Sequence, residues 1–159
     1  MKILQLAGGA AIAYTLLTKL GEGVANRFEY EILPLKLSNF RFRVKQWKPI
    51  GVLKVYVKIR NDTPLNLAAQ SLHLQLSQQG EPLGNVLTSN IIELPSGEDK
   101  TLAVDVEIDS LDFLERVKAL VEGQEGATWY APIDIQGVLS FTNGYALPIY
   151  RKLEFFTVS

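Results

Sequence analysis

Apolar and polar residues alternate along most of the chain after residue 30, and this period of two predicts β-strands. Three stretches show the alternation most clearly, residues 53–59, 72–76 and 102–108. We also expect an extended stretch from Leu35 to Phe42 and a strand near residues 86–94. Turn-forming sequences lie between the predicted strands, for example Asn61-Asp62-Thr63-Pro64 and Thr142-Asn143-Gly144. Because helices do not alternate with these strands, the pattern disfavours a parallel α/β sheet.

One stretch late in the chain changes its period. Apolar residues recur at helical spacing between Leu111 and Val121, and Asp109 or Ser110 is a suitable N-cap. The sequence therefore predicts an all-β fold with one short late helix. We expect an immunoglobulin-like antiparallel β-sandwich of about seven strands, preceded by an N-terminal apolar helix.

The predicted N-terminal helix comes from residues 3–18, which carry no charge and lie between Lys2 and Lys19. Such a helix would be about 24 Å long, against a hydrocarbon core of about 30 Å. Three interpretations fit: an uncleaved membrane anchor, a signal peptide cleaved near Gly23-Val24-Ala25, or an apolar helix packed against a partner subunit. We favour the anchor, whose membrane-facing residues would be Ile3, Leu4, Leu6, Ala10, Ile12, Leu16 and Leu17.

The predicted domain organisation follows from this division. Residues 1–28 form the apolar helix and a hinge, and residues 29–159 form the sandwich. We expect the protein to be membrane-associated through its single N-terminal anchor, or to lie within a membrane-containing particle. Export after cleavage is the alternative.

Composition narrows the class of function. The chain has 159 residues, a net charge of -1, no cysteine and one histidine. The absence of cysteine excludes disulfides, thiolate catalysis and cysteine-ligated metal sites. A net charge this close to zero argues against a generally basic nucleic-acid binder. Known catalytic and nucleotide-binding motifs are absent from the sequence, so we expect no cofactor and no enzymatic activity.

The small net charge conceals two oppositely charged parts of the chain. Residues 26–60 hold nine Lys or Arg against two Glu, a net of +7, and residues 61–126 hold three Lys or Arg against twelve Asp or Glu, a net of -9. The basic residues could meet anionic lipid, or they could pair with acidic neighbouring strands, which we favour. The candidate contact residues are Lys36, Arg41, Arg43, Lys45, Lys54, Lys58 and Arg60.

A few residues are candidates for chemistry. His73 lies on the polar side of its predicted strand, where an ordinary exposed position is favoured over a catalytic or metal-binding one. Asp105, Glu107 and Asp109 would share one strand face, as a cation site or, as we favour, as a solvated surface. Aromatic residues near the hinge would form either an interfacial belt or core and subunit contacts; they are Phe28, Tyr30, Phe40, Phe42 and Trp47.

The order of several short motifs resembles the late embryogenesis abundant (LEA) type 2-like domain, also called the water-stress and hypersensitive-response domain. That pattern has an alternating strand ending in Asn, a following Pro, a leucine ladder, a Gly-x-x-Leu-Gly turn, a Pro-Ser/Ala-Gly turn and a final strand pair. The matching segments are residues 55–61, Pro64, residues 72–76, Gly80-Glu81-Pro82-Leu83-Gly84, Leu94-Pro95-Ser96-Gly97, residues 137–139 and Leu147-Pro148-Ile149. In this chain Asp62-Thr63 separate the Asn from the Pro, which is a departure from the family.

The resemblance covers roughly residues 30–158, and it implies an immunoglobulin-like sandwich, stress protection and no catalytic residues. We expect a non-catalytic structural or interaction protein, tethered to a membrane or to a larger assembly such as a phage virion. Its partners would be a membrane, other protein subunits in a homo- or hetero-oligomer, or both, and not nucleic acid. The alternative is an exported or soluble stress-protective module that binds an apolar ligand or a client protein.

Overall fold

The computed structural model describes residues 28–89, 92–123 and 131–155. These residues form nine strands, one α-helix and one short 3₁₀ helix, Leu37–Asn39. The helix α1 is Leu111–Val121. The strands are β1 (Phe28–Ile32), β2 (Phe40–Lys45), β3 (Lys48–Asn61), β4 (Leu67–Gln78), β5 (Glu81–Thr88), β6 (Ile92–Leu94), β7 (Asp99–Ile108), β8 (Ala131–Phe141) and β9 (Ala146–Phe155).

The strands form two sheets in which every pairing is antiparallel. In sheet A, β3 pairs with β7 along one side and with β2 and then β1 along the other. In sheet B, the order is β5-β4-β8-β9, and β6 pairs with the start of β4 on the same side as β5. The all-β, antiparallel prediction is confirmed.

The core lies between the two sheets and is built from the alternating ladders. In sheet A, Val55 pairs with Val104, and both point inward. In sheet B, Leu72 pairs with Leu139, and Leu76 pairs with Ile135. Most of these inward side chains have no solvent exposure. Their burial is the main favourable term for a fold of this kind, at about 25 cal/mol per Å² of apolar surface.

Helix α1 follows β7 in the chain and packs on the core. The Ser110 hydroxyl accepts a hydrogen bond from the backbone N–H of Phe113 at 3.4 Å, which caps the first turn. Phe113, Leu114 and Val117 are buried, and the ring of Phe113 lies 5.9 Å from that of Phe40 on β2. The predicted late helix is confirmed, and of the two candidate caps, Asp109 and Ser110, the helix uses Ser110.

The strand count differs from the predicted seven, for two local reasons. The extended stretch predicted around Leu35 and Phe42 is interrupted by the 3₁₀ helix, where the Asn39 side chain accepts a hydrogen bond from the backbone N–H of Lys36 at 3.1 Å. The chain then re-enters sheet A as β2, beside a different part of β3. The predicted strand at residues 86–94 is likewise divided between β5 and β6, which pair with separate parts of β4.

Asn61 and Thr63, which are buried polar residues, tie the end of β3 to sheet B. The Asn61 Nδ2 atom donates hydrogen bonds to the carbonyl oxygens of Leu65 at 2.8 Å and Leu94 at 2.7 Å. Its Oδ1 atom accepts from the backbone N–H of Thr63 at 3.0 Å and from the Thr63 hydroxyl at 2.6 Å. We call Asn61, Thr63, Leu65 and Leu94 the Asn61 cluster. Its hydrogen bonds use both donor hydrogens and both acceptor positions of the buried Asn61 side-chain amide.

The turn between β6 and β7 closes on the Asn61 cluster. The backbone N–H of Gly97 donates to the Asn61 carbonyl oxygen at 2.7 Å, and the Asn61 N–H donates to the Glu98 carbonyl oxygen at 3.0 Å. The Ser96 hydroxyl donates to the carbonyl oxygen of Thr63. Gly97 has φ 77°, a left-handed conformation that glycine adopts without a steric penalty. Two sequence segments more than 30 residues apart therefore form one hydrogen-bonded unit.

The predicted membrane-associated location is contradicted. Across the described ranges of the chain, no helix has the length and apolar character needed to cross a bilayer. Helix α1 has eleven residues and packs Phe113, Leu114 and Val117 on the core, whereas a span needs about 20. The predicted N-terminal helix and the anchor residues Ile3, Leu4, Leu6, Ala10, Ile12, Leu16 and Leu17 lie outside the described residues.

Candidate functional site

The turn between β2 and β3 has an unusual backbone. Lys45 pairs with Lys48 across it, so Gln46 and Trp47 are the two turn residues. Both lie in the left-handed region, with φ 53° for Gln46 and 66° for Trp47. Two-residue hairpin turns with positive φ at both positions strongly prefer Asn and Gly, because a bulkier side chain costs about 1–2 kcal/mol in that region. The turn is thus strained at two successive residues.

The turn between β4 and β5 provides a comparison within the same molecule. Its two turn residues are Gln79, with φ 51°, and Gly80, with φ 85°. Here glycine occupies the second position, where the other turn has a tryptophan. The requirements of a tight hairpin therefore do not explain the presence of Trp47.

Apolar side chains are exposed at and near the β2–β3 turn. Trp47 is 97% exposed, Val44 is 75% exposed and Phe42 is 44% exposed. We call Phe42, Val44, Gln46 and Trp47 the β2–β3 tip. Single exposed apolar residues are ordinary, but three close together on one hairpin are typical of a contact surface. Tryptophan is also among the residues most enriched at the energetic centres of protein interfaces.

A groove of about 770 Å³ lies beside the β2–β3 tip. Its lining includes Lys48 and Ile50 from β3, Asn85 from β5 and the exposed Leu111 at the start of α1. The groove therefore extends from the hairpin to sheet B and to the helix. A segment bound at the tip would find both apolar and charged groups within it.

Six of the seven predicted basic contact residues lie on β2 and β3, and most of them pair with carboxylates. Lys36 lies apart from them, before the 3₁₀ helix. The ion pairs are Arg41–Asp105 (3.6 Å), Lys54–Asp105 (4.0 Å), Lys45–Glu107 (2.8 Å), Lys58–Asp99 (3.6 Å) and Arg60–Asp62 (2.7 Å). Within the described part of the chain, Arg43 and the neighbouring Lys48 form no ion pair. Each strand of the hairpin that carries the tip therefore has one basic residue without an ion pair, Arg43 on β2 and Lys48 on β3.

The predicted carboxylate row is divided between these pairs. Asp105 and Glu107 lie on β7, which is the acidic neighbour of the basic strand β3. Asp109 follows the strand and lines the groove beside the tip. Residues 28–89, 92–123 and 131–155 contain no group of three or more acidic or histidine side chains placed to hold a metal ion. The exposed ion pairs of Asp105 and Glu107 typically contribute under about 1 kcal/mol each to the stability of the fold.

His73 lies at the centre of the outer face of sheet B. Its cross-strand neighbours are Leu87 on β5 and Val138 on β8. Its position on the polar side of β4 agrees with the alternation in the sequence, since Leu72 and Leu74 on either side are buried.

A polar cluster links β1 to β9. The Tyr30 hydroxyl accepts a hydrogen bond from the Tyr150 backbone N–H at 3.1 Å and donates to the Tyr150 carbonyl oxygen at 3.2 Å. The Tyr150 hydroxyl donates to Asp134 Oδ1 at 3.1 Å, and Lys152 lies 3.8 Å from the same atom. The hydrogen bond to Asp134 raises the pKa of Tyr150 above its usual 10.0, and burial and the negative charge of Asp134 raise it further.

The raised pKa of Tyr150 predicts a contribution to alkaline stability. Because the folded state favours the protonated hydroxyl, its stabilising contribution is complete below pH 10.0 and is lost as the pH rises through the higher folded pKa. In Tyr150→Phe, we expect the free energy of unfolding to fall less between pH 9 and 11 than in the wild type. Urea unfolding across this range measures it, with Tyr56→Phe as the matched control. An equal fall in the wild type and Tyr150→Phe would contradict the prediction.

No protein-family model matches the chain, and no curated protein matches it. Several solved structures are similar to it in fold. A crystal structure of a protein from Archaeoglobus fulgidus is 13% identical in sequence, with 81% of this chain and 98% of that chain covered and a TM-score of 0.50. The shared feature is the fold. A solution structure of a candidate late embryogenesis abundant (LEA) protein is 15% identical, with 93% of this chain and 84% of that chain covered and a TM-score of 0.49.

The β2–β3 tip was only partly accessible to sequence reasoning. Trp47 is one of five aromatic residues for which an interfacial and a core role were both open, and the structure divides them. Phe28 and Phe40 are buried, whereas Trp47 is almost wholly exposed. The available signal was the sequence Lys45-Gln46-Trp47-Lys48, which sits between two alternating stretches as a turn would but lacks the glycine or asparagine that marks one.

Proposed function

We propose that this chain is a non-catalytic β-sandwich that binds a protein partner through its β2–β3 tip. The observation that carries the proposal is Trp47, which is 97% exposed and held at φ 66° in a turn that a glycine would form at lower cost. A residue that is unfavourable both for the turn and for solvation of the free protein is expected to gain its favourable contacts in a complex.

The size of that gain is substantial for one side chain. An aromatic residue buries about 150–250 Å² when it is enclosed, and tryptophans at the centre of interfaces typically contribute 2 kcal/mol or more to affinity. Val44 and Phe42 lie on the same hairpin and enlarge the apolar contact. Arg43 and Lys48 add positive charge to the same hairpin, which favours a partner surface with acidic residues beside an apolar pocket.

Replacing Gln46 and Trp47 with residues that are preferred in such a turn tests the proposal. The double variant Gln46→Asn/Trp47→Gly keeps the hairpin but uses the preferred turn residues, so we expect the free energy of unfolding to rise by about 1 kcal/mol. The same change should lower partner capture at least about tenfold, since it removes the central aromatic contact. Urea unfolding measures the first effect, and quantitative mass spectrometry of proteins captured from a lysate of the source cells measures the second.

The β4–β5 turn offers the matched control. Gln79→Asn changes the corresponding position of a turn with the same backbone and leaves the tip intact. It should therefore retain the partners that the double variant loses. If the double variant and the wild type captured the same proteins in the same amounts, the tip would not be the binding site.

We further propose that the chain is an immunoglobulin-like sandwich of the LEA type 2-like class. The support comes from what the motif residues do in the fold. Asn61 and the Pro95-Ser96-Gly97 turn are distant in sequence, yet both belong to the hydrogen-bonded unit that joins the two sheets. Thr63 is one of the two residues by which this sequence departs from the family pattern. It completes that unit by donating two hydrogen bonds to the Asn61 Oδ1 atom. A stress-protective role would use the β2–β3 tip to hold a client protein.

Binding of an apolar ligand between the sheets is the less favoured alternative. Such a ligand would need a cavity among the inward side chains, and central members of both ladders, such as Val55, Leu74 and Leu139, have no exposure. A ligand would have to separate the sheets and the Asn61 cluster that connects them. The exposed tip requires no such rearrangement.

A further inference from the structure

Strand β2 lies at the outer side of sheet A. It pairs with β3, and among the described strands it pairs with no other. Its residues from Arg41 to Lys45 are all exposed, so both faces of the strand are open. By contrast, the outer strands β5 and β7 pack so closely that a Cβ atom on Gly84 would overlap the carbonyl oxygen of Glu107. The backbone of β2 is therefore available to a further strand.

The two-residue turn determines which backbone groups of β2 face outward. Lys45 and Lys48 close the turn and exchange backbone hydrogen bonds, and such pairs alternate with non-bonded pairs along an antiparallel ladder. Val44, which lies opposite Pro49, and Phe42 are thus in non-bonded pairs. Their N–H and C=O groups point away from β3, toward the side where a strand can be added.

The side chains of β2 determine which residues suit an added strand. Because alternate residues point to opposite faces, Arg41, Arg43 and Lys45 form one row, and the apolar Phe42 and Val44 lie in the other. Residues of an added strand share the face of the residues that they lie opposite. A strand in which acidic and apolar residues alternate therefore complements both rows.

Other occupants fit this pattern less well. A second β2 strand would place basic side chains opposite one another, which is destabilising. A lipid surface could receive the exposed Phe42, Val44 and Trp47, but hydrocarbon offers no partner to the outward backbone groups. Arg43 forms no ion pair within the described part of the chain, so an acidic residue opposite it is favoured over a neutral one.

We infer that β2 binds an extended segment of a partner protein, in which acidic and apolar residues alternate, by antiparallel strand addition to sheet A. The inference rests on the proposed function, since β2 and Trp47 belong to one hairpin. The apolar residues of the segment contact Phe42 and Val44 and pair with their backbone groups. Its acidic residues lie beside Arg43, and Trp47 contacts the partner beyond the end of the segment.

A peptide of alternating glutamate and valine, matched to the six residues of β2, tests the inference with the full-length protein. In antiparallel pairing the valine amides face Phe42 and Val44. N-methylation of the valines should therefore lower the affinity at least about tenfold, and N-methylation of the glutamates should change it less than about twofold. Fluorescence anisotropy of labelled peptides measures both. Equal binding of the two methylated peptides, or no binding of the unmodified peptide up to about 1 mM, would overturn the inference.

Two substitutions at one position of β2 give an independent measurement. Val44→Pro removes the outward N–H and places a ring where the added strand would lie, whereas Val44→Ala keeps the N–H and also loses the valine side chain. We expect Val44→Pro to bind the unmodified peptide at least about tenfold more weakly than Val44→Ala, with folding checked by thermal unfolding. Equal affinities of the two folded variants would contradict strand addition.

The charge of Arg43 is tested in the same assay. Arg43→Gln should weaken binding of the peptide at least about threefold, because it removes the ion pair with a glutamate. Lys48→Gln removes the same charge from β3, which the added strand does not adjoin, and should weaken binding less. Equal losses would overturn the requirement for acidic residues.

The double variant Gln46→Asn/Trp47→Gly separates this inference from the proposed function. Partner capture that falls in the double variant but is unchanged in Val44→Pro would keep Trp47 as the binding residue and overturn strand addition. Peptide binding that depends on the valine amides, with partner capture unchanged in the double variant, would support strand addition and reject the role of Trp47. Binding of the wild type to phosphatidylserine vesicles but not to the peptide would overturn the inference in favour of a lipid surface.

Discussion

Replacing Asn61 with aspartate is expected to destabilise the protein by about 3–5 kcal/mol, a large part of the stability of a typical domain. The change converts the Nδ2 donor into a carboxylate oxygen that faces the carbonyl oxygens of Leu65 and Leu94. Because Asn61 has no solvent exposure, water cannot screen the resulting repulsion. Both carbonyl groups also lose their donor, and with it one connection between sheet A and sheet B.

Urea unfolding at neutral pH measures this loss of stability. The loss should also depend on pH in a characteristic way. The introduced carboxylate should have a raised pKa in the folded state, so Asn61→Asp should recover part of its stability as the pH falls and the protonated group again donates one hydrogen bond. Asn85→Asp on the exposed part of β5 is the matched control and should cost less than about 0.5 kcal/mol. Equal losses at Asn61 and Asn85 would show that the cluster does not stabilise the fold.

Replacing Gly137 with alanine is expected to cost about 3 kcal/mol, although it adds a single methyl group. A Cβ atom at this position would overlap the backbone carbonyl oxygen of His73 on β4 and lie 2.7 Å from a methyl group of Leu74. Gly137 sits on the central strand β8 between β4 and β9, so neither neighbour can move away without breaking its own pairing.

The appropriate control is Gly123→Ala, after helix α1. Gly123 has φ 64°, but a Cβ atom there would meet nothing within 4 Å. The free energy of unfolding of Gly123→Ala should therefore fall by about 1 kcal/mol, through backbone strain alone. Thermal or urea unfolding of the two variants compares them directly, and a Gly137→Ala loss no larger than that of Gly123→Ala would refute the steric explanation.

The alternation of apolar residues was sufficient to predict most of the strands. The ladder from Leu53 to Ile59 is buried on one side because a half-buried strand repeats its environment every two residues, and the same reasoning located β4 and β7. Helix α1 was predictable because its period changes directly after a capping serine. Local patterns of this kind depend only on consecutive residues, so they can be recognised without knowing the fold.

Features that depend on distant residues were not accessible in this way. Nothing near Asn61 in the sequence indicates that its amide meets the carbonyl oxygen of Leu94, and Gly137 does not reveal its contact with His73. The β2–β3 tip was only partly predicted, because Gln46 and Trp47 occupy a turn against their own backbone preferences. The pairing of β4 with β8 is likewise set by the topology, since these two strands are far apart in the sequence.

The contact between Tyr30 and β9 has a consequence for the behaviour of the protein at high concentration. An outermost strand with free backbone groups is a template on which the strand of another molecule can add, and repeated addition leads to fibres. The Tyr30 hydroxyl occupies both the N–H and the carbonyl oxygen of Tyr150 in the middle of that strand. One phenol thus interrupts the row of hydrogen-bonding groups that an incoming strand would require, and it hinders strand addition at the β9 edge of sheet B.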